Sequence, residues 1–357
     1  MARVDRIVFL TGGRDFHALH WYDAITTKYR DLRTLVLLDS VLDEGGVNYF
    51  ESVLYNKLFC IDRFLMSKPS KFADIWRNVV KLTFVLIQSI LLAVKIKKDD
   101  LVWCHGIYYA VVCRIAGVNY AVTPQGSELL VRPNNKAYLM FLKFALRKAS
   151  IITVDSRSML DKLDFYGFNA ELVYNGVNPP ADYGFSKLKG SILSSRGVAP
   201  LYRISEILNA FKRLEKGYSL SICYPFLQSD YYEKIIDQCG ARVNDLGKLH
   251  APEYNRLLRE IEIVVSIPYS DSSPKSMYEA IFHSCKIITD INSSWIDECT
   301  SDMKTRLILV DIDHKEWLKD ALAKAVNMPD HYQPSTQSID RFSRDKNIDK
   351  MINLFTK

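Results

Sequence analysis

The sequence has no CxxC pair, no internal repeat, no low-complexity tract and no uncharged apolar run long enough to cross a bilayer. Its seven cysteines, Cys60, Cys104, Cys113, Cys223, Cys239, Cys285 and Cys299, stand singly and are odd in number. That pattern argues against a disulfide framework and a structural zinc site, and fits a reducing compartment. The best candidate for a membrane span, Arg77–Lys98, holds an uncharged run of about 13 residues where roughly 20 are needed. The N-terminal apolar run, about five residues within "RIVFLTG", is too short for a signal-peptide core and reads as a first buried strand. No acid cluster of DxD type is read at a strand end, so no magnesium site is expected.

Net charge is also scarce, at +6 over 357 residues, and gives no reason to expect a nucleic-acid partner. All of the excess lies in residues 1–180, and the remainder is neutral. Two segments concentrate it. "RNVVKLTFVLIQSILLAVKIKK" (Arg77–Lys98) is an apolar helix bracketed by cations, and "RPNNKAYLMFLKFALRKAS" (Arg132–Ser150) interleaves aromatics and leucines with Lys136, Lys143, Arg147 and Lys148. Two readings stay open: core helices with snorkelling cations, or a basic amphipathic surface resting on anionic lipid.

Roughly half the residues are apolar and a quarter charged, the balance of a globular chain long enough for two domains. Short apolar runs, "RIVFLTG", "TLVLLD", "DLVWCHG", "YAVTPQG" and "ASIITVDS", alternate with helical segments. This rhythm predicts a parallel sheet covered on both faces. It pauses at "YNGVNPPADYGFSKLKG" (Tyr174–Gly190), whose Pro, Gly and Asn content suits a linker. It then restarts through "GSILSS", "YSLSICY", "RVNDLG", "IEIVVSIP" and "CKIITD". The fold expected is α/β, two doubly wound Rossmann-like domains at 1–178 and 191–335 with a cleft between them. A linker spans 179–190, and a loop and helix at 336–357 pack back on the first domain. Ligands of such sheets bind beyond the carboxyl ends of the strands.

The stretch with most chemistry is "SDSSPKSMYEAIFHSC" (Ser270–Cys285), where seven residues separate Asp271 from Glu279. A polar loop entering a helix offers free backbone N–H groups to an anion. A carboxylate further along that helix, at Glu279, is poorly placed for phosphate but well placed for the vicinal hydroxyls of a ribose. After the first strand, Gly12 and Gly13 let the backbone approach a ligand closely, although a simple strand-to-helix turn would also use them. His105, at the end of "DLVWCHG", is open between a core and a site histidine.

With its neighbourhood, this stretch resembles the donor-site segment of family 4 retaining glycosyltransferases of the GT-B fold, bacterial surface-polysaccharide type. There an acid, seven residues and a glutamate precede a helix and a strand. The first acid, usually glutamate, is Asp271 here, and the glycine common after the helix is Ser284 or Cys285. "TPQGSELL" resembles a cleft loop and brings in Gly126, Ser127 and Glu128. "NDLGKLHAPEYNRLL" is similar to a segment that sets Gly247 and Lys248 beside the base, and "VYNGVNPP" resembles the end of the first domain. In "SSRGVAPLYRISEILNAF" Arg196 matches a phosphate-binding arginine, while the usual lysine position falls on Tyr202 with Arg203 beside it. Either Arg203 supplies the second charge, or Arg196, Tyr202 and the helix N-terminus act alone.

The resemblance implies a metal-independent hexosyltransferase using a nucleotide-diphosphate sugar as co-substrate and no cofactor. Asp271, Glu279 and Arg196 would serve the reaction, and Ser273, Pro274, Lys275 and Ser276 would hold the diphosphate. Gly12, Gly13, Arg14, His17, His105, Gly126, Ser127 and Glu128 would face acceptor or phosphate. The acceptor implied is a glycan, lipid-linked, at the inner face of the cytoplasmic membrane. The alternatives are a GT-B-fold nucleotide-sugar epimerase and a non-catalytic membrane-associated partner of another transferase.

Overall fold

The computed structural model describes residues 6–12, 16–38, 55–57, 73–237 and 239–356. The chain divides into two compact units, Met1–Val173 with Asn347–Lys357, and Tyr174–Lys346.

The described strands of the first unit are β1 (Arg6–Thr11), β2 (Arg33–Leu38), β3 (Tyr55–Lys57), β4 (Asp100–His105), β5 (Tyr120–Thr123), β6 (Ile151–Val154) and β7 (Glu171–Leu172). They form one sheet, in order β3-β2-β1-β4-β5-β6-β7, and every pairing is parallel. Such a sheet needs cover on both faces, and the alternation along β1 shows it. Ile7 and Phe9 pack with Leu19, Trp21 and Ile25 of the helix Phe16–Lys28 and with Ile348, Met351, Ile352 and Phe355 near the C-terminus. Val8 and Leu10 face the other way, onto a cluster with Val85, Leu92, Val112 and Leu142 from the helices Ala73–Lys95, Ile107–Ala116 and Lys136–Leu146. The helix Arg344–Thr356 thus closes one face of this sheet.

The second unit holds β8 (Leu188–Ser194), β9 (Ser219–Cys223), β10 (Val243–Gly247), β11 (Ile261–Ser266), β12 (Lys286–Asp290) and β13 (Leu307–Val310). They run in order β10-β9-β8-β11-β12-β13, again parallel throughout. The chain lays β9 and β10 to one side of β8 and the later strands to the other, so the order reverses between β8 and β11. That is the switch point at which open α/β sheets leave a crevice.

Three details depart from the expectations. First, β8 begins inside the predicted linker: Leu188 pairs with Ile261, and the Gly190 N–H donates to Glu262 Oε2 at 2.8 Å. Second, the turn Asn175-Gly176-Val177 belongs to the second unit, because Val177 bridges Ser343 and the Tyr174 hydroxyl donates to Glu298 Oε2 at 2.6 Å. Third, β13 was not assigned from sequence, and it runs straight into Asp311-Ile312-Asp313, a DxD spacing at a strand end. Asp311 Oδ1 accepts the Asp313 N–H at 3.0 Å, so this acid closes its own turn on the sheet's edge, two strands beyond β11.

Gly176 shows how tightly its turn is built. Its φ is +70°, and a Cβ there would stand 2.6 Å from the Arg344 Cα. Gly176→Ala is expected to lower stability by at least about 1–2 kcal/mol, the cost of the left-handed backbone alone. Denaturant unfolding measures it, and an unchanged midpoint would contradict the packing described.

Candidate functional site

The second unit gathers most of the chemistry. Beyond β8 the chain turns at Ser195 and Arg196, and beyond β11 it runs through Asp271 into the helix Lys275–Phe282. Arg196 spans the two: one Nη donates to Asp271 Oδ2 and the other to Ser276 Oγ at 2.9 Å. The guanidinium lies 4.9 Å above the Tyr202 ring, and its Nε is buried with no partner among the described residues. The Arg196–Asp271 pair is 12% and 15% exposed, so it keeps a partly open edge. The hydroxyls of Ser194 and Ser266, last residues of β8 and β11, are likewise buried without a partner among the described residues. Polar groups left in that state are uncommon inside proteins and point to a ligand or solvent that completes them.

The helix Lys275–Phe282 starts at Pro274 with no side-chain cap. Pro274 O accepts the N–H groups of Met277 and Tyr278, which leaves those of Lys275 and Ser276 with no backbone partner among the described residues. Unpaired first-turn amides and the positive end of the helix dipole suit an anion. Glu279, one turn on, is 21% exposed and meets Lys275 Nζ at 3.5 Å. Burial pushes its carboxyl above the usual glutamate range, with Lys275 and then Arg344 pulling the other way. Behind it the Tyr254 hydroxyl donates to Ser195 Oγ at 3.1 Å, and burial, with help from the Glu279 charge, raises that phenol well above the ordinary value.

Arg203 adopts a left-handed backbone (φ 52°, ψ 40°) and donates to Asp290 Oδ2 at 3.0 Å, with its guanidinium 3.7 Å from the Tyr269 ring. Its charge is thus balanced by the acid that ends β12. Tyr202 packs edge-on against Phe226, and burial raises its phenol. Gly247 closes β10 with φ +64° and Lys248 follows it, exposed. Ser273 is half-buried and Pro274 buried. Ser284, with φ 62°, takes the left-handed position after the helix, which leaves Cys285 as the buried residue preceding β12.

In the first unit Gly12 closes β1 and His105 closes β4, at that sheet's own reversal of order. Gly13 and Arg14 lie outside the described residues, as does the His17 side chain. The His105 ring is 3% exposed, 4.5 Å from Trp103 and stacked on Phe9 at 6.2 Å. Gly126, Ser127 and Glu128 form a short helix after β5. Glu128 is 8% exposed and fully engaged: its oxygens accept the N–H of Gln125 at 2.9 Å and of Ile107 at 3.0 Å. It caps two helix starts, a structural duty. The spacing Gln125-x-x-Glu128 is a capping box, and that signal was present in the sequence. Tyr254, Ser195 and Arg344 were missed, and no local pattern marks them.

No family model matches the sequence, and neither does any curated protein. Solved structures match nearly the whole chain. Anabaena HepE in complex with UDP-glucose is 13% identical, with a TM-score of 0.70 over 98% of this chain and 99% of that one. Sucrose-phosphate synthase from Thermosynechococcus elongatus is 13% identical, with a TM-score of 0.71 over 98% of each chain. The lipopolysaccharide outer core galactosyltransferase WaaB, apo form, is 14% identical, with a TM-score of 0.63 over 98% of this chain and 99% of that one. The likeness is one of fold: the chain has the two-domain α/β architecture of the GT-B glycosyltransferases.

Proposed function

We propose that the protein is a retaining glycosyltransferase of the family 4 type, which moves a hexose from a nucleotide-diphosphate donor to a lipid-linked glycan in bacterial surface-polysaccharide synthesis. The observation that carries this reading is the grouping at the β8–β11 switch point: Arg196, the open amides of Lys275 and Ser276, and Glu279 one turn further along the same helix. A nucleoside diphosphate presents the matching pair, an anion and a vicinal diol. The binding of UDP and UDP-glucose by HepE, which shares the fold, supports the same class of ligand.

Transfer breaks the anomeric C–O bond, and negative charge grows on the departing diphosphate. Arg196 and the helix start stabilise it as it forms, without a metal ion. The acceptor hydroxyl attacks the face the leaving group vacates, and its proton passes to the departing phosphate oxygen. Asp271 holds Arg196 from the loop side and lies near the sugar. Gly247 and Lys248 flank the base. The acceptor belongs to the first unit, beside Gly12 and the loop at Gly126 and Ser127, and the protein works at the inner face of the cytoplasmic membrane.

Incubating the chain with a panel of nucleotide sugars and a polyprenyl-diphosphate-linked saccharide tests this. Mass spectrometry is expected to show a gain of one hexose that depends on the acceptor and survives EDTA, with the donor's anomeric configuration kept in the NMR coupling constant. Donor consumption without an acceptor-dependent product, or an inverted linkage, would overturn the reading.

A further inference from the structure

Among the described residues, one helical face of the first unit is left uncovered. The helix Ala73–Lys95 buries Val85 and Leu92 against the sheet, yet exposes Leu82 (70%), Leu86 (59%), Ile90 (66%) and Val94 (82%) on its opposite side. These residues recur at steps of four, so they form one stripe, continued by Val79, about 22 Å long at 1.5 Å per residue. The helix is apolar on two sides, as befits an element lying between a core and a second apolar medium. In the same helical layer, Lys136–Leu146 adds Met140, 74% exposed, while Leu142 and Leu146 point inward. No helix among the described residues is long and apolar enough to cross a membrane. Exposed apolar surface this continuous marks an interaction site.

Charge selects the occupant. Residues 75–98 and 129–154 hold ten lysines and arginines and no acid, whereas the rest of the chain carries four more acids than bases. Lys95, Lys97, Lys98, Arg147 and Lys148 are all exposed. A second copy of the chain docked on this face would set cations against cations, which disfavours a self-interface. An anionic bilayer satisfies both features at once, with acyl chains for the stripe and phosphate headgroups for the cations around it.

The geometry points to this face as an in-plane docking surface for anionic lipid, with Leu82, Leu86, Ile90 and Val94 entering the headgroup–acyl boundary and the lysines and arginines at its rim on the phosphates. It stands on the exposed face alone and does not depend on the transfer chemistry.

Flotation of the full chain with phosphatidylcholine vesicles, with and without phosphatidylglycerol, tests it. The chain is expected to float with the anionic vesicles, and Leu82→Ser/Leu86→Ser/Ile90→Ser to cut partitioning by about tenfold or more through lost apolar burial. Lys97→Glu/Lys98→Glu/Arg147→Glu/Lys148→Glu is expected to abolish the preference for phosphatidylglycerol. Ile90→Trp keeps the stripe apolar, and its emission should shift to the blue on anionic vesicles and be quenched by brominated lipid. Unshifted Ile90→Trp emission, equal flotation of the serine variant, or a dimer in solution that buries the stripe would overturn the inference. Nucleoside-diphosphate binding by the serine variant should match the parent chain. A parent chain that binds no nucleotide but still floats would contradict only the transferase reading.

Discussion

Glu279→Gln is expected to weaken nucleoside-diphosphate binding by about tenfold to a hundredfold, the worth of one hydrogen bond to a charged acceptor, while leaving the fold intact. The side chain keeps its shape but changes what it offers. A carboxylate accepts from both hydroxyls of a ribose, whereas an amide has one accepting oxygen and presents a donor to the other. Glu279 sits one turn beyond the open amides of Lys275 and Ser276, and its ion-pair partner, Lys275, is 3.5 Å away. Replacing it removes a charge that burial already disfavours, so thermal stability should hold or rise. Calorimetric titration with a nucleoside diphosphate, beside a thermal melt, checks both halves. Equal affinities would remove Glu279 from the site.

The raised carboxyl pKa of Glu279 adds a pH signature with a definite sign. Burial shifts the group upward, so it takes up its proton at a higher pH than an ordinary glutamate. The accepting form is the ionised one. Donor affinity of the parent chain should therefore be full above the raised pKa and fall as pH drops through it. Glu279→Gln, which cannot titrate, should lack that fall.

Arg196→Ala is expected to lower kcat by about a hundredfold to a thousandfold, as losing one preorganised donor to a developing oxyanion does, with a smaller loss of donor affinity. The leaving diphosphate gains charge in the transition state, so the guanidinium counts for more there than in the bound ground state. The substitution also leaves Asp271, 15% exposed, without the arginine that balances it. Arg196→Ala/Asp271→Asn removes both charges and separates the effects. A turnover defect from lost phosphate contact persists in the double variant, whereas a defect from the stranded acid recovers. Arg196→Lys keeps the charge but cannot reach Asp271 Oδ2 and Ser276 Oγ together, and it should fall between the parent and alanine. A loss confined to affinity would place Arg196 in ground-state binding only.

Much of the fold was legible because parallel strands buried on both faces read as short apolar runs. "RIVFLT" and "IEIVVS" are such runs, and both are strands flanked by the switch points. Shorter strands carry less signal: "YNK" and "EL" are too brief for a pattern, and "LILV", four residues long, is not among the strands expected, nor is the acid pair that follows it. The core of the site was legible for another reason, since Asp271, Ser276 and Glu279 lie within nine consecutive residues and share one loop and helix. What could not be read were partnerships across the fold. Arg203 was open as a phosphate cation until its contact with Asp290, 87 residues away, showed the charge already matched. Arg344 acts on Glu279 from the far end of the chain, brought there by the backbone pairing of Val177 with Ser343. Glu128, set at a cleft by the resemblance, accepts the Gln125 amide as its capping-box spacing indicates, but the Ile107 amide it also accepts lies 21 residues away, where no local pattern reaches. Ser284 does a glycine's work, and only its φ of 62° reveals it.

The most direct measurement is a crystal structure with a nucleoside diphosphate bound. Its ribose hydroxyls should lie on the Glu279 carboxylate, and its phosphates against Arg196 and the amides of Lys275 and Ser276. A nucleotide seated elsewhere, with Glu279 still turned to Lys275 and Arg196 touching no phosphate, would contradict the account.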